Sequence, residues 1–326
     1  IMHKRGVSMK FTEERLKLYA APLSETENEK CKRAIKAIRD ALKDLGYSAS
    51  DDAILPIEEG TYSYSTTLKR GYSSEEIQVF IQGSYANNTC VRGESDVDIA
   101  ILRKDIHESA FGNRFAPYTP SFGKQVDALI LKDSVEKVLR SHFPGCVSRR
   151  NKSIKVDGNT YRKQADTVPC VHMYYYNKSD DGDYLNHIDG ITIFADDGTI
   201  INNFPKQHIA NGRLKNTITN HYYKKMVRII KSIRYLMEDL GYPEAEKVSS
   251  FGLESLLWNI PSDVFKKYST YKYAFDEVVQ YLYQNQSLLP YYKEANGIKP
   301  LCPDATAVTD YTSFINRLHV FYEYDI

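Results

Sequence analysis

Between Leu23 and Gly46, apolar or small residues return every three or four positions: Cys31, Ala34, Ile35, Ile38, Ala41, Leu42 and Leu45. That spacing lays them along one stripe of a helix. Ser24, with Glu27 three residues on, forms a capping box at its start, and Gly46 closes its end. Residues 12–48 are therefore read as a leading spine helix.

From about residue 75 to 205 the period changes. Short alternating runs, "IQVFI" and "VDIAIL", read as neighbouring strands, and "QVDALILKDSVEKVLRSHF" as a helix between them and the strands "KSIKV", "KQADTV" and "VHMYYY". In "GITIFADDGTIINNF" the Asp197-Gly198 pair marks the turn of a hairpin. Beyond residue 218 the pattern is almost wholly helical, through "NHYYKKMVRIIKSIRYLMEDLG", "SSFGLESLLWNI" and "VFKKYSTYKYAFDEVVQYLYQN". The expected architecture is α+β and bilobal: a mixed-sheet lobe over 49–205 and a helical lobe over 206–326.

Two positions break the sheet pattern. Asp96 and Asp98 flank Val97, immediately before and within a run that otherwise reads as a buried strand. Side chains at i and i+2 share a face, so both carboxylates point one way while Val97, Ile99 and Ile101 point the other. Carboxylates this close repel each other unless a cation sits between them, and a hard divalent ion such as Mg2+ prefers such oxygens. An isolated D-x-D is more often a solvated strand face. Here Ser84, preceded by Gly83, stands twelve residues before Asp96, after "IQVFI", in a turn that enters a helix. Such a turn offers backbone N–H groups and a hydroxyl to phosphates. Asp166 in "KQADTV" is the candidate third carboxylate, and Pro169 is expected to end or edge its strand. By itself Asp166 is more often a turn or edge residue. As the third of a set it can bind one of two metal ions, held about 4 Å apart, and act as general base.

The helical half supplies candidate counter-charges. Lys224, Arg228 and Lys231 fall at i, i+4 and i+7, opposite Met226, Val227, Ile230 and Ile233; a basic stripe of this kind is usually a solvated face. Ser249, Ser250 and Phe251 begin the next helix, where hydroxyls and an aromatic ring can meet a triphosphate and a base. The plainer account is an ordinary Ser N-cap followed by a core Phe.

Composition narrows the class. With 326 residues, 42% hydrophobic and 26% charged, the chain is long enough for two lobes and ordinary for a soluble protein. A net charge of +1 advertises no global field for nucleic acid. No run spans a bilayer, and "IMHKRGVSMK" has no apolar segment behind its charges. Five scattered cysteines, never in a Cys-x-x-Cys pair, predict reduced thiols in a cytoplasmic protein without a zinc knot. The run "SRRNKSIK" reads as a solvated strand edge, with contact to a polyanion as the alternative.

Taken together, G-S-Y-A-N-N-T, S-D-V-D-I, A-D-T-V-P and the lysine stripe before S-S-F resemble the nucleotidyltransferase superfamily that includes polymerase beta. Within it they look most like the bacterial relatives of cyclic GMP-AMP synthase and oligoadenylate synthase, the cyclic-oligonucleotide synthases of antiphage signalling. The resemblance implies an active site in the cleft between two lobes. Gly83 and Ser84 would hold donor phosphates, Asp96, Asp98 and Asp166 would bind two Mg2+ (or Mn2+) ions, and Lys231 and Ser250, with Arg228 and Lys224 beside them, would face the triphosphate. Phe251 takes the position of a base-stacking Tyr, keeping the ring and losing the hydroxyl. ATP and other NTPs would be substrates, and a downstream effector would be reached only through the diffusible product. The His/Cys module with which the animal sensor grips DNA is absent from the sequence, so DNA activation is not expected. A linear oligonucleotide synthase, an RNA-end nucleotidyltransferase and an inactive nucleotide-binding or antitoxin-like module remain as alternatives.

Overall fold

A computed structural model describes residues 11–49, 54–56, 62–72, 74–93, 96–111, 122–176 and 187–323. Ser95 of the S-D-V-D-I motif and the first ten residues lie outside them. The chain opens with two helices, α1 (Glu13–Ala20) and α2 (Glu25–Leu42). Strands β1 (Ser48–Ala49), β2 (Leu55–Pro56), β3 (Tyr64–Lys69) and β4 (Glu76–Gln82) follow, then the single turn α3 (Gly83–Ala86) and strand β5 (Val97–Phe111). Helix α4 (Phe122–His142) leads to β6 (Val147–Arg149), β7 (Ile154–Val156), β8 (Ala165–Tyr176), β9 (His187–Phe194) and β10 (Ile200–Asn203). The rest is helical: α5 (Pro205–Ile218), α6 (Tyr223–Asp239), α7 (Pro243–Glu246), α8 (Ser250–Trp258), α9 (Ser262–Lys266), α10 (Tyr271–Gln284) and α11 (Ala305–Glu323).

Two compact units emerge, one from residues 24–87 and 94–209, the other from 1–23, 88–93 and 210–326. The first is built on one sheet in the order β1-β3-β4-β5-β8-β7-β6, with β2 also on β3 and the β9–β10 hairpin attached to β8. Among the described residues only β5 and β8 run parallel; their register sets Asp98 beside Asp166, Ala100 beside Val168 and Leu102 beside Cys170. Beyond the aspartates that face is dry, formed by Phe80, Ala100, Leu102, Val168, Cys170, Ile191 and Ile193. On the opposite face α4 packs through Ala128 against Val171 and Phe194. The carboxylates therefore stand where an apolar strand face begins.

Several expectations hold. Ser24 caps α2 with Glu27 reciprocating: Oγ accepts from Glu27 N at 3.3 Å, and Glu27 Oε2 accepts from Ser24 N at 3.1 Å, a cap worth about 1 kcal/mol. Cys31, Ala34, Ile35, Ile38, Ala41 and Leu42 are buried as the spacing requires. β9 and β10 form the hairpin, with Gly198 at φ +84° in its turn. None of the five cysteines is in a disulfide. Among the described residues no helix is long and apolar enough to cross a membrane.

Three readings change. The leading segment is two helices, because Pro22 cannot continue α1 and the chain turns extended at Ala21 before Ser24 starts α2 afresh. "KQADTV" and "VHMYYY" are one strand, and Pro169 is inside it. On one side β7 pairs with residues 165–167 and β9 with 171–176, so Pro169 falls in the gap between them, where its missing N–H leaves neither ladder short of a bond. "VFKKYSTYKYAFDEVVQYLYQN" splits into α9 and α10 around Tyr268-Ser269-Thr270.

The helical unit closes around Tyr223, Met226, Val227, Ile230 and Ile233 of α6 and Leu253, Leu256 and Leu257 of α8, with α10 and α11 completing the core.

Candidate active site

Gly83 opens α3 at the end of β4 with φ +68°, a conformation in which glycine alone is unstrained. A Cβ at this position would lie 2.4 Å from Asp98 Oδ2, so the backbone passes directly over that carboxylate. Ser84 follows, half-buried. The turn is pinned from two sides: the Tyr85 hydroxyl donates to the Asn28 carbonyl on α2 at 3.2 Å and to its side chain, and Asn87 Nδ2 donates to the Gly83 carbonyl at 3.0 Å.

The three aspartates belong to the same sheet unit. Val97, Ile99 and Ile101 are fully buried on the reverse face, which leaves Asp96 and Asp98 on the other. Asp98 is registered against Gln82 on one side and Asp166 on the other. Gln164 Nε2 donates to Asp96 Oδ2 at 2.6 Å. Arg150 Nη1 lies 3.1 Å from Asp166 Oδ2, while Asp166 Oδ1 is buried and has no hydrogen-bond partner. Burial pushes the Asp166 carboxyl above its ordinary range, Asp96 adds to the rise, and Arg150 and Lys155 oppose it.

Among the described residues no group of three or more His, Cys, Asp and Glu side chains is already gathered as a cation site. Arg150 and Gln164 hold Asp166 and Asp96 instead. The residues nevertheless fit a hard divalent ion: the donors are carboxylate oxygens on one sheet face, and one buried oxygen is orphaned.

Arg150 was not singled out by sequence. The run "SRRNKSIK" lies on edge strand β6 and the turn into β7, with Ser148, Arg150, Asn151 and Lys152 exposed, so the reading as a solvated strand edge holds, and its two arginines are already paired with carboxylates. Arg149 is held by Asp133, Glu136 and Asp196 at 2.7 to 2.8 Å. Lys132 of α4, 2% exposed, donates to the Arg150 carbonyl at 3.0 Å and the Asn151 carbonyl at 2.7 Å, and pairs with Asp196 at 2.9 Å. It clamps the turn that presents Arg150. Its position in "LILKDS" marks a lysine on an apolar helix face, the one sequence signal available.

In the helical unit the basic stripe is buried rather than solvated: Lys224, Arg228 and Lys231 are 7%, 4% and 2% exposed. Lys231 Nζ lies 3.1 Å from Glu254 Oε2, itself in a 1% exposed side chain, and donates to the Thr89 carbonyl at 3.2 Å. Thr89 Oγ1 donates to the same Glu254 oxygen at 2.5 Å. Arg228 donates to the carbonyls of Ala20 and Asn88 at 2.6 and 2.5 Å. These cations hold residues 88–89, the stretch that follows the Gly-Ser turn in the chain. Ser249 caps α8, accepting from Gly252 N at 2.9 Å. Ser250 Oγ is 3.2 Å from the Tyr235 hydroxyl, and Phe251 is exposed rather than in the core.

A turn with a left-handed glycine over a D-x-D strand, a third aspartate on the adjacent parallel strand and a helical second unit define a nucleotidyltransferase of the polymerase beta type. Residues 210–323 match the cGAS/DncV-like nucleotidyltransferase C-terminal helical domain. The chain is 41% identical over 322 residues to the cyclic GMP-AMP synthase CdnE03 of Staphylococcus schleiferi, covering 97% of this chain and 98% of that one. It is 33% identical to a cyclic dipyrimidine nucleotide synthase of Cecembia lonarensis, covering 85% and 84%. The structure of the CdnE cyclic dinucleotide synthase of Elizabethkingia meningoseptica with GTP and Apcpp is similar at a TM-score of 0.73 and 30% identity, covering 97% of this chain and all of that one. The chain belongs to this family of bacterial cGAS/DncV-like nucleotidyltransferases, the cyclic nucleotide synthases.

Proposed function

We propose that this chain condenses nucleoside triphosphates, releasing pyrophosphate at each bond formed, into a cyclic di- or trinucleotide that acts as a diffusible signal to an effector, in defence against phage. The observation that carries the reading is the register of Asp98 against Asp166 beneath Gly83. ATP with GTP is the first pair to test, because the relative that is 41% identical over nearly both full lengths is a cyclic GMP-AMP synthase.

In this reading Asp96, Asp98 and Asp166 hold Mg2+, with Mn2+ able to replace it. Bound there, the metal neutralises charge on the reacting phosphate and its leaving group. Gly83 and Ser84 present N–H groups and a hydroxyl to the donor phosphates, and the absent Cβ keeps Asp98 accessible. Asp166 Oδ1, unpartnered, accepts the proton of the attacking ribose hydroxyl. Ser250 faces a phosphate and Phe251 offers its exposed ring to a base. Lys231 can reach a phosphate only by releasing Glu254 or Thr89. Its part here, with Arg228, is to fix the segment after the Gly-Ser turn. Most of the rate enhancement then comes from positioning and charge neutralisation.

Incubation with all four NTPs and Mg2+, followed by mass spectrometry, identifies the product. A phosphatase-resistant cyclic species, absent with Asp96→Ala/Asp98→Ala, is the expected result. A phosphatase-sensitive linear product, a strict requirement for an RNA end, or equal synthesis by the double variant would overturn it.

A further inference from the structure

The outward face of α2 carries a second concave site whose walls include none of the residues assigned to catalysis. Lys32, Arg33, Lys36 and Arg39 line a cavity of about 470 Å³ together with Tyr64 of β3 and Tyr161 of the 157–163 loop. Glu29 pairs with Lys32 at 2.8 Å and Asp40 with Arg39 at 2.8 Å. The four cations thus meet two carboxylates, and the wall keeps net positive charge. Lys36 is exposed, with no ion-pair partner among the described residues. The aromatic rings are already engaged by cations: Lys32 Nζ lies 5.3 Å from the Tyr64 centroid and Arg33 Cζ 4.3 Å from that of Tyr161.

We propose that this pocket binds a nucleoside phosphate that regulates the synthase. Its volume lies in the range of about 300 to 1,000 Å³ usual for small-ligand sites. Seven residues of helix separate Lys32 from Arg39, about 10 Å along the axis, a span suited to phosphates at one end and a ring at the other. A flat base can take a place beside Tyr161, where the Arg33 guanidinium now stacks, and the freed guanidinium turns to phosphate. A wall of this size, with one aromatic ring at either side, suits one nucleotide-sized ligand rather than a long polyanion.

The pocket connects to the catalytic carboxylates through covalent neighbours. Tyr161 lies three residues before Gln164, whose amide holds Asp96, and Lys163 N donates to the Lys30 carbonyl on α2 at 3.2 Å. On the same helix, Asn28 receives the Tyr85 hydroxyl that pins the Gly-Ser turn. A ligand seated between α2 and Tyr161 bears on both ends of the aspartate site.

The regulatory role rests on the synthase reading; the binding does not. The test is isothermal titration of Asp96→Ala/Asp98→Ala protein in EDTA, with ATP, GTP and cyclic GMP-AMP as separate probes, so that no synthesis is needed. A second protein carries Arg33→Ala/Lys36→Ala in addition, with melting curves to confirm the fold. Binding of at least one probe, weakened tenfold or more by the added pair, supports the site. Preference for ATP or GTP identifies substrate as the source, and preference for the cyclic probe identifies product feedback. Equal affinity in both proteins, no binding of any probe, or binding only to a 20-nucleotide single-stranded RNA added as a fourth probe overturns it. Failure of synthesis in the wild type with binding intact would reject the synthase reading and leave the site standing.

Discussion

Gly83 and Asp98 are packed so closely that the glycine has no room for a side chain: a Cβ would fall 2.4 Å from Oδ2 and 3.3 Å from Cγ of the aspartate. The backbone there also sits at φ +68°, so substitution strains the turn as well as displacing the carboxylate.

Gly83→Ala should therefore lower synthesis by about 10²-fold or more, the usual scale for a misplacement of ~1 Å at a reacting centre. Gly93, at φ +85° with nothing within 4 Å of its would-be Cβ, is the matched control. Gly93→Ala should cost roughly 1 kcal/mol of stability and little activity. Initial rates for both variants decide the matter; a Gly83→Ala enzyme as fast as Gly93→Ala would show that the contact does not position Asp98.

Lys231 and Glu254 form a buried ion pair. Removing one partner strands the other, and such losses run to about 3–5 kcal/mol. Lys231→Met should destabilise the protein on that scale in urea unfolding. Lys231→Met/Glu254→Gln should recover part of the loss, because the stranded charge is gone. If the double variant is as unstable as the single one, the pair's charge is not what holds residues 88–89.

The sequence made the aspartates visible because three independent rules met there: the period of two, the Gly-Ser turn and the proximity of like charges. The capping box of Ser24 and Glu27 and the hairpin turn at Gly198 were legible for the same reason, since local chemistry decides them. What stayed hidden depends on distant partners. Whether the Lys224, Arg228 and Lys231 stripe faces solvent or the interior is set by Glu254, Thr89 and two backbone carbonyls, none of them periodic with it. The place of Pro169 inside β8 depends on where two other strands stop. Arg150 and Lys132 come together only because the turn between β6 and β7 folds over α4.

Asp196 carries a pH signature of that clamp. Hydrogen bonds from Arg149, then Lys132, hold its carboxyl at about 2, below the ordinary 3.8. A depressed acid stabilises the fold above its unfolded pKa and ceases to do so as pH falls through the folded one. With the side chain partly solvated, Asp196→Asn should cost on the order of 1 kcal/mol at pH 7. The gap from wild type should narrow between pH 4 and 2. Urea titrations across that range check it; a gap that stays constant with pH would mean that the carboxylate's charge does not brace the turn.

Asp166 has the opposite sign. Burial raises its carboxyl, so in the absence of metal the protonated form is favoured more in the folded protein than in the unfolded chain. An acid with a raised pKa contributes stability below its unfolded value and loses it as pH rises through the folded one. Asp166→Asn removes that penalty while leaving Arg150 an amide oxygen to bond. In EDTA at pH 7 the variant should be as stable as wild type or more so, with the difference vanishing at acid pH, where the wild-type carboxyl is neutral. Its synthesis should fall by at least ~10²-fold, the scale of losing a general base. Thermal melts and product assays on the same preparations make the comparison. A variant clearly less stable than wild type at pH 7 would mean that the Arg150 pair outweighs burial, and a variant that still makes product at the wild-type rate would remove Asp166 from the chemistry.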